Sequence, residues 1–268
     1  MTRPGVSAHP VVTSTANPQI KMMRSLGRRR ARQTERAFLV EGRRLIEDAV
    51  RHGASVRSLL VREDQADAWV ADLGIGPERV RIVRRDVFDA ASDVEHSQGV
   101  AAICDFPAWN VSRDDISASD RLVLILDRLR DPGNMGTALR SAAAAGIGIV
   151  LIGQGSVDPV APKVVRAGMG AHFRLRIAPM THELTEAIRG MGRDVAYADA
   201  AAELPYHRLE WGEVGALIVG GETEPLSPEL ERLVTKRVAI PMQADIESLN
   251  AGVAASVLLF EAMRQCAS

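Results

Sequence analysis

From Arg121 onward the chain repeats one pattern, a short continuous apolar run followed by a helical stretch. The runs are Leu122–Leu126, Ile147–Ile152, Val195–Ala198, Ala216–Val219 and Val238–Ile240. A strand with one wet face alternates apolar and polar residues, so continuous runs predict strands covered on both faces. With helices between them, this means an α/β domain over residues 121–268 around a mostly parallel sheet. In such open sheets ligands bind beyond the carboxyl ends of the strands, so the residues following each run are the informative ones.

At 268 residues the chain exceeds the usual size of one compact domain, and a second alternating unit precedes the first. Strand candidates at Ala37–Val40, Val56–Val61, Val80–Val83 and Gly99–Cys104, with a helix over Arg43–His52, predict a small α/β domain over residues 17–105. A helix is expected to start at Asn17-Pro18, because Asn caps and Pro suits the first helical position. Residues 1–16 are rich in Pro, Ser, Thr and small side chains and read as a flexible arm. The polar stretch 106–120 shows no periodicity and reads as a linker.

Lys and Arg total 33 against 34 Asp and Glu, so distribution decides where a polyanion could bind. Between Lys21 and Arg36 stand seven basic residues, Lys21, Arg24, Arg28, Arg29, Arg30, Arg32 and Arg36, against one acid, Glu35. Two readings are open, a solvated helix face or a surface that binds phosphates by displacing condensed counterions. Two distant cysteines and six scattered histidines give no ligand spacing, so no metal site or disulfide framework is expected. No apolar run reaches membrane-spanning length, so no membrane partner is expected and a cytoplasmic location is.

Three segments follow strands. After Leu122–Leu126 comes Asp127-Arg128-Leu129-Arg130-Asp131-Pro132-Gly133-Asn134-Met135-Gly136, leading to Arg140 and a helix that stops at Gly146. Asn134 could simply cap that helix, whereas Arg140 lies among Ala, Leu and Ser and would need an anionic partner if buried. After Ala216–Val219 comes Gly220-Gly221-Glu222-Thr223-Glu224-Pro225, where glycines permit a turn or the close approach of a ligand. The third is Ile240-Pro241-Met242-Gln243-Ala244-Asp245-Ile246-Glu247-Ser248-Leu249-Asn250, before a long helix that Ser248 could cap.

Together, in this order and spacing, the three segments resemble the Asp-Pro-x-Asn-x-Gly…Arg, Gly-x-Glu and Ile-Pro-Met…Glu-Ser-Leu-Asn motifs of the SpoU/TrmH family of RNA 2′-O-ribose methyltransferases, within the SPOUT superfamily. The likeness covers residues 121–265. Val40-Glu41-Gly42 and His96-Ser97-Gln98-Gly99 more loosely resemble the substrate-binding domain that often precedes it. The resemblance implies a trefoil knot, a homodimer joined through the catalytic domain, S-adenosylmethionine as cofactor and a structured RNA as substrate, rRNA ahead of tRNA. It places the catalytic Arg on Arg140, with Asn134, Glu222, Ser248 and Asn250 as polar residues of the reacting centre. Gly220, Ile240 and Leu249 match cofactor contacts, and Val219, Gly221 and Met242 stand beside them. The guanidinium is a poor base in water, so two roles stay open for Arg140: assisting deprotonation of the 2′-hydroxyl with the substrate phosphate, or stabilising the developing alkoxide.

Two positions depart from the family pattern, Pro225 and Ala244, where glycine is usual. Pro fixes φ and donates no hydrogen bond, so weaker cofactor binding is expected. A catalytically silent RNA-binding protein is the alternative from another class. A nicotinamide-dinucleotide enzyme fails, because no GxGxxG opens a helix after the first strand and Gly146 ends one.

Overall fold

A computed structural model describes residues 10–66, 73–107, 109–119, 121–221, 224–243 and 246–266. The chain divides into two compact units, Met1–Pro107 with Val160–Arg166, and Ala108–Pro159 with Ala167–Ser268.

The first unit holds α1 (Pro18–Ser25), α2 (Arg29–Glu35), β1 (Ala37–Glu41), α3 (Arg43–Arg51), β2 (Val56–Arg62), β3 (Val80–Val83), α4 (Arg85–Asp89) and β4 (Val100–Asp105). Its sheet has the order β1-β4-β2-β3, with β4 antiparallel to both neighbours and β2 parallel to β3. Asn17 caps α1, its Oδ1 accepting from the Gln19 amide at 2.9 Å, with Pro18 in the first turn. Ile20, Met23 and Leu26 pack with Leu39, Leu60, Val83, Phe88 and Ile103, which leaves the basic residues of α1 on the opposite face. Residues 1–9 of the expected arm lie outside the described residues. Its remainder is tied down at Val12, which donates to the Ile82 carbonyl at 2.8 Å and accepts from the Arg84 amide at 3.0 Å. β3 is an edge strand, and its unpaired backbone groups provide those partners.

The second unit holds α5 (Arg113–Ser117), β5 (Val123–Asp127), α6 (Pro132–Ala144) and β6 (Ile149–Ile152); α7 (Pro162–Gly168) starts in the segment grouped with the first unit. Then come β7 (Arg176–Pro179), α8 (His182–Gly190), β8 (Asp194–Ala198), β9 (Val214–Gly220), α9 (Pro228–Glu231), β10 (Lys236–Val238) and α10 (Ala251–Cys266). The sheet order is β10-β8-β9-β5-β6-β7, and every neighbouring pair is parallel. Both faces are covered. Val123 and Ile125 enter a cluster with Leu151, Leu184, Ile188 and Ile218, while Leu124 and Leu126, on the other side of the pleat, are equally buried.

Two segments differ from expectation. β7 is not among the expected strands, because Arg-Ile-Ala-Pro is short and ends in a residue that cannot donate to a ladder; it is tolerated because β7 is an edge. Within the stretch read as a linker, α5 is held by a capping box in which the Ser112 amide donates to Asp115 Oδ2 at 2.7 Å. Arg176 grips the same carboxylate with two bonds of 2.8 and 2.7 Å and holds its pKa well below the usual range, while Ile116 is fully buried. A polar sequence with one apolar anchor thus becomes a docked helix.

His172 is fully buried, and its Nε2 donates to the Pro159 carbonyl at 2.7 Å. Burial pushes this imidazole down to about 4 from an ordinary 6.5. As pH falls from 6.5 towards 4 the unfolded chain gains a proton that the folded chain refuses, so stability is lost across that window and is unaffected above it. The full loss is about 3 kcal/mol. Urea unfolding from pH 7 to pH 4 is expected to show this extra slope in the wild type and not in His172→Gln; equal slopes in both would refute it.

Candidate active site and RNA interface

Strand order sets where a ligand can lie. β5 leads to β6 on one side and β9 leads to β10 on the other, so the carboxyl ends of the strands, near the pairing of Asp127 with Gly220, are where a ligand is expected to lie. All three sequence segments emerge around this end of the sheet.

The first loop enters α6 through Asp131, whose Oδ1 accepts from the Asn134 amide at 2.8 Å. Asp131, not Asn134, is therefore the cap, and the Asn134 side chain serves another purpose. Its Oδ1 accepts from Asn250 Nδ2 at 2.6 Å. Asn250 in turn caps α10 with its own Oδ1, accepting from the Gly252 and Val253 amides at 3.0 and 3.2 Å, so Ser248 is not the cap either. The first and third segments are thus locked together by two side chains that sequence matching placed in one centre. Gly252 makes the approach possible, since a Cβ there would lie 3.0 Å from the Asn134 carbonyl oxygen.

The second loop is clamped to the first. Arg128 Nη1 donates to the Pro225 carbonyl at 2.8 Å, Arg130 Nη2 pairs with Glu224 Oε1 at 2.5 Å, and the Ser227 amide donates to Asp127 Oδ2 at 2.9 Å. Gly221 must lack a side chain, because a Cβ would lie 2.4 Å from the Arg128 carbonyl oxygen. Pro225 takes part through its carbonyl, which a glycine would also offer. Glu222 and Ala244 lie outside the described residues.

A cavity of about 230 Å³ lies at the ends of β8, β9 and β10, lined by Val219, Gly220, Gly221, Ile240, Met242, Ser248 and Leu249. Every expected cofactor contact is among them. So are Tyr197, Ala198 and Asp199, which follow from the position of β8 and belong to no recognisable motif. Apolar walls and a backbone bared by two glycines suit an adenosyl group, which needs a slot and a few backbone hydrogen bonds. Arg140 is not part of this cavity. It is exposed, makes no ion pair among the described residues, and lines a separate depression of about 340 Å³ with Thr137, Ser141, Ala144, Ala167 and Phe260. The buried anionic partner that sequence reasoning would require is therefore not needed.

In the first unit Lys21, Arg24, Arg28, Arg29 and Arg30 are exposed. Arg32 departs from the expected phosphate-binding set: it is 3% exposed and donates to the Leu26 carbonyl at 2.8 Å. It ties α2 back to the end of α1. The Val-Glu-Gly and His-Ser-Gln-Gly segments meet, with Glu41 Oε1 accepting from Ser97 Oγ at 2.9 Å and Gln98 Oε1 from the Arg43 amide at 2.9 Å.

Fold and cavity define an open α/β ligand-binding protein whose site is built from three strand-following loops, joined to a small unit with a basic helical surface. Residues 121–260 match the SpoU rRNA Methylase family and residues 17–102 the MRM3-like substrate binding domain. The chain belongs to the SpoU rRNA methylase family. It is similar to the 23S rRNA guanosine 2′-O-methyltransferase RlmP of Bacillus subtilis, with 29% identity over 93% of this chain and 97% of that protein. Similarity to the human mitochondrial rRNA methyltransferase 3 is 32%, over 87% of this chain and 69% of that one. The crystal structure of an AdoMet-bound rRNA methyltransferase from Sinorhizobium meliloti superposes with a TM-score of 0.82 at 29% identity, covering 98% of this chain and 100% of the other.

Proposed function

We propose that this protein transfers a methyl group from S-adenosylmethionine to a ribose 2′-hydroxyl of ribosomal RNA. The observation that carries this reading is the cavity at the ends of β8, β9 and β10, closed by the loop whose Asn250 is bonded to Asn134. The bound cofactor supplies the activated methyl group. Val219, Gly220, Gly221, Ile240, Met242 and Leu249 hold its adenosyl part. Ser248, Asn250 and Asn134 orient the ribose, and Arg140, which lies outside the cavity of its own protomer and on the surface proposed for a second copy, acts across that interface to stabilise charge developing on the attacking oxygen. Glu222 belongs to the same centre in this reading, and the knotted path of the C-terminal segments goes with it. The names of the relatives favour rRNA over tRNA, and the intact Asn134–Asn250 pair favours an enzyme over a silent binder. Mapping of ribose methylation in rRNA from cells with and without the gene tests it: a single 2′-O-methyl group lost on deletion is expected, and an unchanged map would refute it.

A homodimer through the catalytic unit is part of the proposal. Val253, Phe260 and Met263 of α10 are 44%, 43% and 39% exposed, an apolar stripe that a second copy would cover, and Arg140 opens on the same surface as Phe260. Phe260→Asp is expected to sediment as a monomer and to lose methyl transfer; an unchanged sedimentation coefficient would move the interface elsewhere. The RNA is proposed to lie on the exposed basic residues of α1 and α2 in the first unit, in the cytoplasm, and no described helix is long and apolar enough to cross a membrane. Charge reversal at Arg28, Arg29 and Arg30 is expected to weaken RNA binding and lower its salt slope by about one for each phosphate no longer neutralised, leaving cofactor affinity unchanged. An unaltered salt slope would return these residues to a merely solvated face.

A further inference from the structure

The cofactor cavity has one wall that the family motifs do not supply. β8 ends at Ala198, and Asp199 follows directly as the one carboxylate among the described residues lining the cavity. Its two oxygens are each used once: Oδ1 accepts from the Ala201 amide at 3.0 Å and Oδ2 from Arg237 Nη1 at 2.8 Å. A carboxylate offers about four acceptor positions, so two remain. Arg237, on β10, does not line the cavity. It is fixed from behind by Glu231, and its guanidinium carbon lies 5.2 Å from the centroid of the Tyr197 ring, itself part of the wall.

We propose that Asp199, positioned by Arg237, is the acceptor for the vicinal ribose hydroxyls of the cofactor, an assignment that rests on the S-adenosylmethionine reading of this cavity. Two free lone-pair positions on one carboxylate match two neighbouring hydroxyl donors. The alternative donor in the cofactor, its α-ammonium group, is disfavoured by the guanidinium 2.8 Å from the carboxylate, which would repel a second cation and does not repel a neutral diol. An acid at the end of a strand serving the ribose of a nucleotide cofactor is also a recurrent solution in open α/β sheets. Arg237 offsets the cost of a carboxylate beside apolar walls and keeps it in one orientation.

Calorimetric titration tests this without reference to activity. The ligands are S-adenosylhomocysteine, 5′-methylthioadenosine, which lacks the amino-acid moiety, and the 2′,3′-dideoxy form of S-adenosylhomocysteine. Asp199→Ala is expected to weaken the first two by a similar factor, about 10- to 100-fold, and to leave the dideoxy ligand at its wild-type affinity. Asp199→Asn, which still accepts from Ala201, is expected to show the same pattern with a smaller loss, and serves if the alanine variant does not fold. Equal weakening of the dideoxy ligand would make Asp199 a structural residue and overturn the proposal. A loss confined to S-adenosylhomocysteine, sparing 5′-methylthioadenosine, would assign the carboxylate to the ammonium group and overturn it too. Failure of the wild type to bind S-adenosylhomocysteine would be a different result, removing the cofactor reading itself.

Discussion

Arg140→Ala is expected to reduce methyl transfer by about 10²–10³-fold while leaving the fold and cofactor affinity intact, the scale typical of losing one donor that stabilises charge in a transition state. The placement of the residue explains why the effects should separate. Arg140 is exposed on α6, pairs with no carboxylate among the described residues, and lies outside the cavity proposed for the cofactor. Removing it breaks nothing that holds the protein together, so its stability should change by no more than about 0.5 kcal/mol. Arg140→Lys keeps the charge and loses the planar fork, so it should recover only part of the rate. Single-turnover methylation with labelled cofactor, alongside calorimetry with S-adenosylhomocysteine, measures both. Near-normal transfer by the alanine variant would take Arg140 out of the mechanism.

Gly252→Val, at the start of α10, should damage stability, cofactor binding and transfer together. A Cβ at this position would meet the Asn134 carbonyl oxygen and Thr137 Cβ at 3.0 Å and Asn134 Cα at 3.1 Å, so much of what it meets is backbone that cannot swing aside. Valine adds two methyl groups beyond that Cβ, and α10 must move away from α6. Overpacking of this kind costs about 1–3 kcal/mol. The same movement parts Asn250 from Asn134, now bonded at 2.6 Å, and displaces the loop carrying Ser248 and Leu249 over the cavity. Lower urea stability, weaker S-adenosylhomocysteine binding and lost transfer are expected together. Full activity in a destabilised variant would show that the asparagine pair is structural only.

Much of this architecture was legible because covered parallel strands are written as continuous apolar runs: four of the five runs in the second unit became strands, and the fifth, Val238–Ile240, shares only Val238 with β10. What escaped has physical reasons. β7 carries its Pro at an edge, where the ladder does not need an N–H, so composition speaks against a strand that topology permits. α5 is too short to show a period and depends on Arg176, a partner distant in sequence, to neutralise Asp115. Both helix caps next to the site lay a few residues from the expected ones, because Ser, Asn and Asp compete for that role and only geometry decides among them. Motif matching found the glycines and the asparagines but could not find Asp199, whose relevance comes from the place of β8 in the sheet. Nor could it show that Arg140 lies outside the cavity proposed for the cofactor.

The strand order also dictates a sequence of events as the chain is made. The sheet of the first unit is complete once β4 ends at Asp105, with all its pairings local to the N-terminal part. In the second unit the central strand β5 must wait for β9, and the cavity has no floor until Leu249 arrives. Such distant parallel pairings are slow, because loop closure precedes any reward from contact. A chain emerging from the ribosome therefore displays its basic helices beside a completed sheet well before the cavity exists. Premature release would yield the basic sheet-and-helix unit without the cavity.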